Sequence, residues 1–120
     1  MSGVINVKRV EELPLAANES VALATLKSRL HSEFAVERLI LFGSVVRGES
    51  DSESDIDLLV LTSQPMARRQ RHEITDLVFQ INLEFDTNFS TLVVDRHSWE
   101  SGPFSILPIK ERILADGALV

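Results

Sequence analysis

The chain contains no cysteine. That excludes disulfide bonds and thiolate chemistry, and it leaves zinc only the weaker His, Asp and Glu ligands. Excess basic charge is also missing: 12 Lys and Arg stand against 18 Asp and Glu, for a formal net charge of −6. A dedicated duplex-DNA binder releases counterions from phosphates with surplus Lys and Arg, so this balance argues against one. A small anionic nucleotide remains compatible if metal ions carry the compensating charge. No apolar run reaches the length of a bilayer-spanning helix, and Met1-Ser2-Gly3-Val4 is not a basic start leading into an apolar stretch. The default expectation is therefore a cytoplasmic protein without a membrane segment. No Gly-Lys-Ser/Thr occurs, which excludes a Walker phosphate loop, and no internal repeat or linker is visible.

What is present is ordinary globular composition, 44% hydrophobic and 25% charged over 120 residues. This fits one compact domain, too small for a catalytic core plus a separate substrate domain, so a large substrate surface must come from a partner. Residues 1–17 read as an N-terminal arm without clean periodicity. From Asn18 or Ser20, plausible N-caps, Leu23, Leu26, Leu30 and Phe34 recur at helical spacing. Short apolar runs at 38–42 and 56–61 read as interior strands. A second helix is expected over 67–85, with Ile74, Leu77, Val78 and Ile81 on one face, then a third strand over 89–94. A short helical piece is expected around 109–114, ended by Asp116-Gly117.

The chemistry concentrates between Gly43 and Asp57. Gly43-Ser44-Val45-Val46-Arg47-Gly48 reads as a hairpin-like turn after the first strand, and Ser54-Asp55-Ile56-Asp57 opens the second. Alternate strand residues share a face, so Asp55 and Asp57 project together with Cα atoms roughly 6.5 Å apart. Two carboxylates on one face can share divalent cations, and magnesium needs only one or two of them beside substrate phosphates. Gly43 allows positive φ and close approach of a ligand, Ser44 offers a hydroxyl and backbone N–H groups to a phosphate, and Arg47 can steady a phosphate or pair with a carboxylate. Gly48 lets the chain reverse, and Asp51-Ser52-Glu53-Ser54 is polar enough for a loop. A Gly-Ser pair alone is most often a turn, and Asp-x-Asp alone a solvated strand end; the joint pattern is what carries information. A calcium loop starting at Asp51 fails because Ile56 stands where Gly is needed and Thr62 where a bidentate Glu is needed.

These residues resemble the nucleotidyltransferase superfamily that includes DNA polymerase beta, specifically its minimal nucleotidyltransferases. The signature is Gly-Ser-x-x-Arg-Gly, a variable loop, then Ser-Asp-x-Asp before an apolar strand, and here it is complete. The resemblance extends in element order over roughly 20–95. It implies an α/β fold, a small mixed β-sheet covered by helices on one side. It implies Mg2+ on Asp55 and Asp57, ATP phosphates on Gly43 and Ser44, and transfer of AMP to a hydroxyl on a protein. It also implies a third acidic residue on the next strand as general base. That position falls at Asp86, if the strand starts early, or at Asn88, whose amide can coordinate a metal but cannot accept a proton as a carboxylate does. Small proteins of this type are often encoded with an all-helical HEPN partner, an RNase toxin, and act as its antitoxin by adding AMP to it. Two alternatives stay open: a catalytically weakened antitoxin acting by contact, alone or as a homodimer, and a transferase for a small molecule such as an aminoglycoside.

Outside this segment, Arg68, Arg69, Arg71 and His72 form the only dense basic cluster, read as a solvated helix start. His31, His72 and His97 show no ligand spacing, and Trp99 and Phe104 are read as core. Asp95 is read as a turn residue.

Overall fold

The computed structural model describes residues 8–48 and 55–120. The first seven residues and the Asp51-Ser52-Glu53-Ser54 loop reading lie outside the described residues. In chain order the elements are β1 (Lys8–Arg9), a 3-10 turn (Val10–Glu12), α1 (Ala17–Glu33), β2 (Val36–Phe42), α2 (Ser44–Arg47) and β3 (Ile56–Thr62). α3 (Arg68–Phe85), β4 (Phe89–Asp95), α4 (Arg96–Glu100), a 3-10 turn (Pro103–Ile106), α5 (Pro108–Asp116) and β5 (Ala118–Leu119) complete the chain. The sheet is mixed, ordered β1-β5-β2-β3-β4. β2 runs antiparallel to β3 and β5, whereas β3 and β4 are parallel, as are β1 and β5.

The central strand explains the layering. Leu58 to Leu61 of β3 are all buried, a run that only a sheet covered on both faces requires. Leu58 and Val60 join Leu39 and Leu41 of β2 against α1 and α3, which contribute Leu23, Leu26, Leu30, Ile74, Leu77, Val78 and Ile81. Leu59 and Leu61 point the other way, with Ile40, Val94, Trp99 and Ile113. The expectation of helices on one side is thus corrected: α4 and α5 bring Trp99 and Ile113 onto the second face. Each fully buried Leu or Ile contributes about 1.5–3 kcal/mol, enough to fix short C-terminal helices that periodicity alone barely marks.

Two local readings also change. α1 begins one turn earlier than a cap at Ser20 would allow: Glu19 Oε1 accepts from Ala16 N at 2.8 Å, while the Asn18 side chain reaches across to α3. The segment after β2 is a helical turn, not a hairpin, because the apolar Val45 and Val46 are buried and the Val46 and Arg47 N–H groups both turn back to Gly43 O. Within the arm, β1 joins the sheet edge and Val10, Leu13 and Leu15 pack on the core. Among the described residues no helix is long and apolar enough to cross a membrane.

Candidate active site

On the second sheet face Asp57 lies at the start of β3, ahead of the buried Leu59 and Leu61 that pack with Trp99 and Ile113. Asp57 is half-buried and Asp55 is exposed. In the ladder Asp57 pairs with Phe42 on β2 and with Ser90 on β4. A carboxylate therefore sits between an aromatic ring position and a serine, with a second carboxylate, Asp55, two residues before it and close enough for its charge to be felt at Asp57.

Gly43 follows directly on β2 and has φ +84°, a region that L side chains rarely adopt. A Cβ there would overlap Asp57 Oδ2. The glycine is needed twice, by its backbone and by the carboxylate packed against it. Ser44 opens α2 immediately afterwards, half-buried, and Gly48 closes that turn with φ +73°. Gly43, Ser44 and Asp57 are thereby brought to one place from segments 13 residues apart.

Electrostatics at Asp57 reflect this crowding. Burial raises its carboxyl above the ordinary carboxylate range, the Asp55 charge raises it further, and Arg47 at the end of α2 pulls it back in part. Arg47 is thus near enough for its charge to act on Asp57. A divalent cation would relieve the repulsion between Asp55 and Asp57. No group of three or more His, Asp or Glu side chains among the described residues could form a complete cage. Two carboxylates without a cage suit magnesium, which keeps several waters and substrate oxygens, so the donor set fits it.

The third acidic position resolves differently from expectation. β4 begins at Phe89, not earlier, and Asp86 is the C-cap of α3 in the left-handed conformation, φ 55°. Its placement on a strand face beside Asp57 is therefore not met, because the chain is still leaving the helix there. Asn88 takes the register position beside Asp55: its carbonyl accepts from Ile56 N at 2.9 Å, and its Nδ2 donates to Asp55 Oδ1 at 2.6 Å.

The sequence pattern did not mark Asn82, and it marked Asn18 as an N-cap, a position that Ala16 takes. Asn82 Oδ1 accepts from Phe89 N at 2.9 Å and from Thr87 Oγ1 at 3.0 Å, while its Nδ2 donates to Phe89 O at 3.0 Å. Asn18 Nδ2 donates to Phe85 O and Asp86 O, closing the C-terminus of α3. The available signal for Asn82 was a polar residue adjoining the Ile74–Ile81 stripe. Asp95 is also more than a turn residue: it ends β4 and caps α4, accepting from Ser98 N and Ser98 Oγ, which lowers its pKa. Trp99 is buried and stacks with Phe104 at 5.6 Å between ring centroids. Arg68, Arg69, Arg71 and His72 are exposed at the start of α3.

A mixed sheet with paired carboxylates beside a Gly-Ser turn defines a nucleotidyltransferase core. The chain belongs to the nucleotidyltransferase domain family, which matches residues 23–112. Two proteins of Methanocaldococcus jannaschii are similar to it, both provisionally named protein adenylyltransferases. MJ0141 is 33% identical over 58 residues, 48% of this chain and 59% of that protein. MJ1305 is 37% identical over 59 residues, 48% of this chain and 40% of that protein. The chain thus spans roughly half the length of the curated relatives it matches. Among solved structures, a toxin-antitoxin crystallised with AMP-PNP superposes with TM-score 0.57 at 19% identity, covering 87% of this chain and 72% of that one. A provisionally assigned nucleotidyltransferase from Sulfolobus solfataricus gives TM-score 0.52 at 20% identity, covering 82% and 76%. At that distance the likeness bears on the fold.

Proposed function

We propose that this chain transfers AMP from ATP to a hydroxyl on a partner protein, in a magnesium-dependent reaction. The observation that carries the reading is the packing of the Asp57 carboxylate against Gly43, with the Asp55 charge close by. It is supported by the provisional names of the relatives, protein adenylyltransferase, and by a structural neighbour that is a toxin-antitoxin with AMP-PNP. Asp55 and Asp57 would hold Mg2+, which when bound neutralises triphosphate charge and the developing charge on pyrophosphate. Gly43 and Ser44 receive the phosphates through close backbone approach and a hydroxyl, and Arg47 adds a cation on the same side. The acceptor oxygen attacks the α-phosphorus, the bond to pyrophosphate breaks, and the hydroxyl proton passes to water or a carboxylate. Asp86 is not assigned that proton, since it caps α3. The partner is a protein of the HEPN type, and the pair acts as toxin and antitoxin in the cytoplasm.

The chain is incubated with a co-encoded partner, magnesium and ATP labelled at the α-phosphate. Label on the partner with wild type and none with Asp55→Ala plus Asp57→Ala supports transfer. A tight complex without label favours the second reading, a nucleotide-binding antitoxin that acts by contact, which the amide at Asn88 recommends. A small-molecule acceptor is the outcome if label appears only on an added aminoglycoside.

A further inference from the structure

Asp55 is exposed and lies one residue before β3 begins, so the sheet ladder does not orient its side chain. An exposed carboxylate of this kind populates several staggered rotamers unless a partner selects one. Asn88 is that partner. A carboxylate only accepts, so the contact to Asp55 Oδ1 must come from the amide Nδ2. The same residue accepts from Ile56 N, so Asn88 grips both the backbone and the side chain at the entry to β3.

Asn88 is itself held. It lies between Thr87 and Phe89, and Asn82 binds both: Thr87 through its hydroxyl and its N–H, Phe89 through its N–H and its carbonyl. Asn82 thus imitates a strand neighbour for a segment that has just left α3, and it fixes the start of β4. The chemistry of the chain suits a cation site. An amide restrains Asp55 without adding a negative charge that would repel it or a positive charge that would cancel it. The contact to Oδ1 thus leaves the negative charge of Asp55 uncancelled by Asn88.

We propose that Asn82 and Asn88 form a positioning chain for Asp55, in which Asn82 sets the backbone at 87–89 and Asn88 holds the carboxylate in its cation-binding orientation. The proposal rests on the reading of Asp55 and Asp57 as a divalent-cation site. It deepens that reading by adding two positioning residues from a different part of the chain.

Mn2+ binding to the full chain, followed by loss of the free-ion electron paramagnetic resonance signal, tests it without any turnover. Wild type binds, and Asp55→Ala and Asp57→Ala each abolish binding. Asn88→Ala, at an exposed position, keeps the melting temperature and weakens Mn2+ roughly tenfold, as removal of an outer-shell partner does. Asn82→Ala weakens Mn2+ similarly, and the double variant is no weaker than Asn88→Ala alone, which a merely structural Asn82 would not produce. If Asn82→Ala does not fold, Thr87→Val, which removes one Asn82 contact, takes its place in the same cycle. Wild-type affinity in Asn88→Ala overturns the proposal while leaving the cation site standing, and additive losses overturn the role of Asn82. Binding that survives in Asp55→Ala overturns the site reading itself.

Discussion

The Asp57 carboxylate occupies the space that a side chain on Gly43 would need. The consequence is a turn and a strand that are fitted to each other, so that the proposed phosphate-binding turn and the proposed cation ligand cannot be varied separately. Gly43→Ala meets both the overlap and the positive φ of +84°. It should destabilise the domain by about 1–3 kcal/mol, the usual cost of forcing a side chain into a sparsely allowed backbone region. Urea denaturation measures this. In the fraction still folded, magnesium-dependent binding of an ATP analogue should be lost, because the carboxylate has been displaced.

Asp57 itself should be a site where function opposes stability. Burial and the Asp55 charge raise its pKa in the folded chain. The native state then holds the proton more tightly than the unfolded chain, so stability falls as pH rises from the ordinary value of about 3.9 through the raised one. Asp57→Asn removes the penalty. In EDTA at pH 7 its melting temperature should rise by about 2 °C, the scale of a few tenths of a kcal/mol in a domain of this size. Below pH 3 the two proteins should melt together. Lower stability of the variant at pH 7 would contradict the account.

The opposite sign applies at Asp95. Its pKa is lowered by hydrogen bonds from Ser98 N and Ser98 Oγ. That contribution is fully present above the ordinary carboxyl pKa and is lost as pH falls through the lowered value. Asp95→Ala should cost about 1 kcal/mol at pH 7, the usual value of an N-cap. The difference in urea midpoint between the two proteins should shrink as pH falls from about 4 toward 2.

Asp86 gives a negative prediction. It closes α3 in the left-handed conformation, which Asn tolerates as well as Asp does. Asp86→Asn should therefore leave both stability and label transfer unchanged. Loss of transfer at unchanged stability would return the general-base role to Asp86.

The contrast between Asp57 and Asp86 shows what the sequence could convey. Period-two alternation predicts Asp55 and Asp57 on one face; the buried Leu58 to Leu61 run belongs to the strand that carries Asp57, while Asp55 lies one residue before it. α1, α3 and the three long strands were legible for the same reason: each buries a regular apolar pattern. Asp86 was misplaced because its position depends on where α3 ends and β4 begins. That boundary is set by Asn18 and Asn82 contacts, and in the Asn18 case they span 67 and 68 residues. The covering of the second face was missed for a similar reason. α4 has only five residues, and what holds it is Trp99 packing against strands far earlier in the chain. Val45 and Val46 could have signalled a buried helical turn, but Gly43 and Gly48 on either side read equally well as a hairpin.

On the proposed function, Asp55 and Asp57 serve transfer of the nucleotide and not of its terminal phosphate. Parallel incubations with magnesium, the partner protein, and ATP labelled at either the α- or the γ-phosphate test it most directly. The expected result is α-label on the partner, no γ-label, and loss of the α-label with Asp55→Ala plus Asp57→Ala. Label from the γ-phosphate, or α-label that persists in the double variant, would contradict it.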